Sequence, residues 1–359
     1  MKIISSRFNV VVGLIALLLI SCDVKVIPAE ESGQDTSGTV KKFTNPLWDG
    51  ADPFMVKHAD SYYYIESLGR DGIAVWKSGK MTERGARRIV WTPPDTGWNT
   101  DEIWAPELHF LEDKWYIYYA ADSGANRDHR MGVLESTSQD PQGDYNDKGM
   151  LYTGDYIESD SLNRWAIDGT VLEFDGQLYF IWSGWESTHD NQYLYIAPMS
   201  NPWTISGNRV RLADNDDYIW ERVGEDPGQR GLNEAPQVLK NGEHVFVIYS
   251  CSGSWQTTYK LGMLRLDNGG NPLNPAHWTK ASEPVFQGTE DVYGVGHASY
   301  VKSPDGTEDW IIYHSKKETT PGWDRDVRMQ PFTWNADGTP EFGTPVAPGD
   351  SLSVPSGEQ

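Results

Sequence analysis

Five times along the chain a short run of aromatic and β-branched residues rises out of polar sequence: SYYYIES from Ser61, KWYIYYA from Lys114, QLYFIWS from Gln177, HVFVIYS from His244 and DWIIYHS from Asp309. Each run has the length of a strand and is too short for a helix. Just upstream of each lies a second strand-like piece: ADPFMVKH, APELHFLE, IDGTVLEF, EAPQVLKN and HASYVKSP. Turn formers separate the two, at Ala59-Asp60, Glu112-Asp113, Asp175-Gly176, Asn241-Gly242 and Pro304-Asp305-Gly306. Asp-Gly and Asn-Gly favour tight hairpins because both residues tolerate positive φ. The pattern predicts one antiparallel hairpin, repeated five times.

Aligned on these pieces, the residues that open the first strands are Asp52, Ala105, Asp168, Glu234 and His297, spaced by 53, 63, 66 and 63 positions. No stretch between them is a plausible helix of ten or more residues. Strand-rich units of this length predict an all-β fold, a five-bladed β-propeller with an active site at one end of the central axis. Solenoids need shorter repeats, and a two-sheet sandwich does not account for a five-fold recurrence. Length alone suggests two domains; the repeat reduces them to one, residues 43–359.

Ahead of it, MKIISSRFNVVVGLIALLLISC places Lys2 and Arg7 before an apolar run from Val10 to Ile20, followed by Ser21-Cys22. The run is short for a membrane span and has the layout of a secretory signal. Its ending, LISC, resembles the lipobox of bacterial lipoproteins, in which the cysteine is lipidated. Residues 1–22 are therefore expected to be a signal and Cys22 a lipid anchor, giving an exported lipoprotein, periplasmic or on the cell surface. The alternative is an ordinary signal in which Cys22 is incidental. Residues 23–42 are polar, bear Ser and Gly, lack periodicity and read as a tether. Cys251 is then left without a disulfide partner, and its apolar surroundings suit a buried, inert thiol.

The composition, 38% hydrophobic with 16 Trp and 18 Tyr in 359 residues, is ample for a core. A formal charge of −22 excludes nucleic acid as a partner and leaves the lipid anchor as the one expected contact with a membrane. A neutral ligand is compatible with it.

Charge matters more where the repeats converge. In a propeller the opening positions of the first strands meet at the axis, so Asp52, Asp168, Glu234 and His297 are brought to one place. Taken singly, an Asp before Pro or Gly, as at Asp52 and Asp168, reads as a turn former. Asp168-Gly169 in particular has the same letters as the turn Asp175-Gly176 seven residues on, yet it opens a strand and joins none. Three carboxylates and a histidine in register are a different matter, since crowded like charges are costly unless one is protonated or paired. Glycosidic bond cleavage uses such a set: one carboxylic acid to protonate the leaving oxygen and one carboxylate to activate water or attack the anomeric carbon. A third, ionised carboxylate keeps the acid protonated near neutral pH.

The segments ADPF, WAPELH, WAIDGTVLE, NEAPQVL and GHASYV closely resemble glycoside hydrolase family 43, over Asn45 to about Pro345. The resemblance implies an inverting hydrolase with Asp52 as general base, Asp168 as the carboxylate that tunes and orients the acid, and Glu234 as general acid. Inversion implies a base-to-acid separation of about 6.5 to 9.5 Å. It also implies no required cofactor. His297 matches a family histidine near the axis that is associated with calcium through water, although a hard cation prefers oxygen to a lone imidazole. QYLYIAPMSNPWTISGNRV, YKLGMLR and DRDVRMQPFTW look most like the family's exo-acting α-L-arabinofuranosidases. The expected ligands are then arabinose-containing glycans. A β-xylosidase, an endo-arabinanase and a non-catalytic glycan-binding propeller are the alternatives. Trp104 and Trp165, each within three residues of an axial position, are candidates for a wall on which a sugar stacks. Glu107, two residues after Ala105, points either to substrate or to calcium-bound water. Arg328 reads either as a sugar contact or as a salt-bridge partner of Asp324 or Asp326. NEAP has Ala235 where the family often has Gly.

Overall fold

A computed structural model describes residues 41–158, 163–187 and 190–359. The expected signal, Cys22 and nearly all of the expected tether lie outside the described residues. Lys42, placed at the end of the tether, already belongs to a strand, Lys42–Thr44.

The five hairpins are the inner halves of five sheets. Blade one consists of Phe54–His58, Ser61–Ser67, Ile73–Ser78 and Ala86–Trp91 in that order. Blade two is Asp101–Leu111, Lys114–Asp122, Arg130–Ser136 and Tyr145–Met150. Blade three begins Ala166–Phe174, Gln177–Trp185, Gln192–Asn201, and blade four Asn233–Asn241, His244–Cys251, Lys260–Leu266, each edged by two short strands. Blade five is Gly296–Lys302, Asp309–Lys316 and Arg325–Trp334, and its outer strand, Trp48–Asp49, comes from the other end of the chain. First strands of successive blades touch one another in a closed ring. The fold is thus a five-bladed β-propeller.

Its core is five wedges, one between each pair of neighbouring sheets. The aromatic runs supply them: Trp115, Trp182 and Trp310, all in second strands, are fully buried in three different wedges. Large rings suit this geometry because each buries 150–250 Å² and spans the gap between twisted sheets. Serines that end the runs tie one blade to the next. Ser183 Oγ donates to Asn233 O at 2.8 Å, Ser250 Oγ accepts from His297 N at 2.8 Å, and Ser67 Oγ donates to Ile103 O. Each such buried bond contributes about 1 kcal/mol.

Four of the first strands carry the same defect near their start. Register passes from Trp104↔Ala120 to Glu107↔Tyr118, from Ile167↔Ser183 to Thr170↔Ile181, from Glu234↔Ser250 to Gln237↔Ile248, and from Gly296↔His314 to Ser299↔Ile312. Two residues therefore oppose one, a β-bulge, and the first of the two has positive φ: Ala105 (41°), Asp168 (54°), Ala235 (49°) and His297 (46°). Asp52 (50°), just ahead of the first strand of blade one, shares the conformation. The residues facing the four bulges, Tyr119, Trp182, Tyr249 and Tyr313, are all fully buried.

This corrects the alignment of blade four. The residue equivalent to Asp52, Asp168 and His297 is Ala235, and Glu234 precedes the bulge, level with Trp104 and Ile167. Ala235 also accounts for the Gly usual at this position, since left-handed backbone costs a residue with a Cβ roughly 1–2 kcal/mol.

The chain ends close the ring. Lys42–Thr44 pairs with Ser351–Ser353, and Glu358 accepts from Met81 N at 2.8 Å in blade one. Phe43 packs on Trp310 at the far end of blade five, whereas Asp52 lies at the bulge end. The chain thus enters the propeller on the face opposite the bulges.

Candidate active site

At the bulge end a cavity of about 710 Å³ is lined by Asp52, Asp168, Glu234 and His297, together with Trp104, Trp165, Trp185, Gln192, Arg325 and Trp323, among others. Asp52 and Asp168 are left-handed residues and Glu234 stands one step before one, and so three blades distant in sequence deliver carboxyls to one space.

The three carboxyls differ in what holds them. Asp52 Oδ1 lies 3.1 Å from Arg325 Nη1, 3.2 Å from His297 Nδ1 and 3.4 Å from His314 Nδ1. Burial alone raises its pKa, but Arg325 and His297 outweigh burial and hold the carboxyl well below the usual range. His297 is pushed up to about 9: burial opposes its charge, while Asp52 and Asp168 favour it more strongly. His314 goes the other way, to about 3, through burial and the neighbouring Arg325. As a neutral ring it accepts the Asp52 amide at Nδ1, 3.1 Å away, and so fixes the backbone of that residue.

Asp168 and Glu234 sit in drier surroundings with no cation in contact. Burial, then Glu234 and Asp52, push Asp168 up to about 7 against the pull of His297. Burial and Asp52 also raise Glu234, whose oxygens are held by Gln192 Nε2 and Tyr259 OH, each at 2.9 Å. Asp168 Oδ2 accepts the Ala235 amide at 3.0 Å, so it grips the residue that follows Glu234. Both carboxyls hold their protons to higher pH than an ordinary carboxyl does, Asp168 to about 7, while Asp52 is ionised. One cavity thus presents a carboxylate ready to accept a proton and a carboxyl ready to give one.

Trp104, Trp165 and His297 line the cavity as the sequence suggests. Trp165 stacks on Trp185 at 4.7 Å and 11°. Two other expected contacts lie elsewhere. The Glu107 carboxylate does not line the cavity; it is buried below the bulges, bound to His109 Nε2 at 2.7 Å and to Gln237 Nε2. Arg328 is buried as well, donating to Ser315 Oγ at 2.8 Å and Val346 O at 3.3 Å, away from Asp324, Asp326 and the cavity. Arg325, three residues nearer the cavity end of the same strand, reaches the site instead, and Arg230 also lines the cavity. His297 Nδ1 is taken by Asp52, and among the described residues no group of three or more His, Cys, Asp or Glu could hold a metal ion. The residues present do not fit a directly ligated calcium, which needs several oxygens.

Gln192, Tyr259, His314, Trp185 and Arg325 were not anticipated. Arg325, Gln192 and Tyr259 lie at or beside the start of third strands, and Trp185 and His314 at or near the end of second strands. In an antiparallel blade those positions share the end at which the first strand begins. That alternation was the available signal.

Comparison with known proteins agrees with this arrangement. The family model described as glycosyl hydrolases family 43 matches residues 43–340. An extracellular exo-alpha-(1->5)-L-arabinofuranosidase of Streptomyces avermitilis is 37% identical over 86% of this chain, which spans 64% of that protein's length. Alpha-L-arabinofuranosidase 43 of Humicola insolens is 29% identical over 96% of this chain and 69% of its own. Among solved structures, an alpha-L-arabinofuranosidase from Lactobacillus brevis superposes with a TM-score of 0.77 at 32% identity, covering 86% of this chain and 98% of the other. With its five blades, three carboxyls in one axial cavity and a family match over most of its length, the chain belongs to glycosyl hydrolases family 43.

Proposed function

We propose that this chain is an inverting exo-α-L-arabinofuranosidase, releasing terminal arabinofuranosyl units from arabinose-containing glycans. Asp52 removes a proton from water, whose oxygen adds to the anomeric carbon. The glycosidic C–O bond breaks on the opposite face, and Glu234 gives its proton to the departing oxygen. Asp168 orients the acid through the Ala235 amide. Trp104, Trp165 and Trp185 supply the apolar wall, and no step passes through a metal. The observation that carries the reading is the contrast between Asp52, held ionised by Arg325 and His297, and the proton-retaining Asp168 and Glu234 in the same cavity. The arabinofuranosidase names of the relatives support the sugar and the exo action.

Incubation with aryl α-L-arabinofuranoside, aryl β-D-xyloside and linear arabinan tests the choice. Arabinose released from the first, with little xylose from the second and only monosaccharide from the third, is expected. Release of xylose alone, or of arabino-oligosaccharides from the polymer, contradicts it. The word extracellular in a relative's name and the signal-like first 22 residues support export, with Cys22 as anchor. Cell fractionation that finds the protein in the cytoplasm contradicts export.

A further inference from the structure

Trp104 has little backbone support of its own. Its strand shifts register on both sides of it, between Asp101 and Trp104 and again between Trp104 and Glu107, so Trp104↔Ala120 is a single ladder pair between two irregularities. Glu102 (φ 45°) and Ala105 (φ 41°) flank it in left-handed backbone. A wall against which a sugar packs has to be held within fractions of an ångström.

The ring behind it is His129, stacked on the indole with centroids 3.8 Å apart and planes at 29°. His129 Nε2 lies 3.1 Å from Glu102 O, the carbonyl of one of the two left-handed residues. Nδ1 lies 3.1 Å from Asn126 O and 3.1 Å from Asp122 Oδ2. Asn126 O also accepts Trp165 Nε1 at 2.7 Å, so the same ring reaches two tryptophans of the wall. The side chains of Asp122 and His129 have no exposure at all. Asp122 Oδ1 accepts from Gly124 N at 2.7 Å, and Oδ2 has no neighbour to satisfy it apart from the imidazole.

Every atom facing the two ring nitrogens is an acceptor. A neutral imidazole has one N–H, so its other nitrogen would set a lone pair against a carbonyl or carboxylate oxygen. A ring protonated on both nitrogens donates to Glu102 O at one end and Asn126 O at the other, with the Asp122 carboxylate beside Nδ1 as its counter-ion. Burial lowers the ring's pKa below the ordinary histidine value against the pull of Asp122. What favours the charged ring is its contacts, since a neutral ring sets a lone pair against a carbonyl oxygen 3.1 Å away at one end or the other. The remaining charged groups around it are the Glu102 carboxylate, which accepts Trp104 Nε1 at 2.9 Å, and the next residue, Arg130, which donates to His129 O at 2.7 Å.

We propose that His129, protonated on both ring nitrogens and backed by Asp122, is a positioning residue for the sugar-binding wall, holding Trp104 and, through Asn126, Trp165. It touches no reacting atom. The ligand side of this inference rests on the arabinofuranosidase reading; the proton state does not.

Two measurements on the full chain test it. In ¹⁵N-histidine spectra recorded without substrate, His129 is expected to show N–H on both ring nitrogens at pH 7, and Asp122→Asn is expected to abolish one of them. For hydrolysis of aryl α-L-arabinofuranoside, His129→Gln and Asp122→Asn are each expected to raise KM about 10-fold while kcat changes less than about twofold, because ground-state packing is lost and the acid and base are untouched. Asp122→Asn keeps the carboxylate's shape and is the variant to read should His129→Gln fail to fold. A single protonated ring nitrogen in the wild type, or an unchanged KM in a folded variant, overturns the proposal. The spectrum needs no substrate, so its failure is separate from any failure of the arabinofuranosidase reading.

Discussion

Asp52 and Asp168 are the same amino acid in the same left-handed backbone conformation, and their neighbours give them opposite protonation. Arg325 and His297 sit on Asp52; Asp168 has Glu234 and a backbone amide. Replacing Arg325 by Gln takes away one of the charges that keep Asp52 ionised, so Asp52 should protonate at higher pH. The acid limb of kcat/KM against pH is expected to move to higher pH. An unmoved limb would mean that Arg325 does not control the base. For Asp168 the sign works through stability. Its folded pKa of about 7 lies above its unfolded value near 3.8, so its folded-state penalty is absent below about pH 4, grows as pH rises, and is complete above 7. Each unit of difference corresponds to about 1.4 kcal/mol. Asp168→Asn keeps the shape and removes the charge, so thermal melts should show the variant more stable than the wild type at pH 8, with the gain shrinking at pH 5. An equal gain at both pH values would place the cost elsewhere.

At the scale of the strand, the bulge makes the site, and the adjoining glycine shows what it costs. The Asp168-Gly169 pair resembles a turn, yet the residue in left-handed backbone is the Asp, and Gly169 is needed for room. A Cβ on Gly169 would meet Phe180 Cζ at 2.1 Å and Met131 Cε at 2.9 Å. Gly169→Ala is therefore expected to destabilise by about 1–3 kcal/mol, the usual cost of overpacking, measured by denaturant midpoint; an unchanged midpoint would mean that the wedge between blades two and three yields freely. The hairpins were legible because aromatic runs and turn dipeptides recur at strand length, and Asp175-Gly176, with φ of 51° and 74°, is the turn its letters suggest. The register of blade four was legible too, and was misread. Ala105-Pro106, Ala235-Pro236 and Asp52-Pro53 line up, which sets Glu234 one residue ahead of the bulge. Arg328 was chosen in place of Arg325 for a related reason. Three residues along a strand is roughly 10 Å, and nothing local in DRDVRMQPFTW says which arginine stands at the cavity end. His129, Gln192 and Tyr259 left no local signal either, since their role depends on third strands that the repeat reading did not define.

For the molecule as a whole, the five-fold repeat places the site as well as forming the core. Each blade contributes one left-handed residue to the ring, and the chain fills those five positions with two Asp, two Ala and a His, adding Glu234 from the step before. The N-terminal strand Trp48–Asp49 completes blade five and leads directly to Asp52, so closing the ring also positions the base. The central claim is that one carboxylate accepts a proton and another gives one, and a single comparison tests it. On an arabino-oligosaccharide, Asp52→Asn and Glu234→Gln should each lower kcat about 10²–10⁴-fold. On an aryl arabinofuranoside whose phenolate leaves without protonation, Glu234→Gln should recover most of that loss and Asp52→Asn none of it. Equal losses on both substrates, or recovery by Asp52→Asn in place of Glu234→Gln, would contradict the assignment.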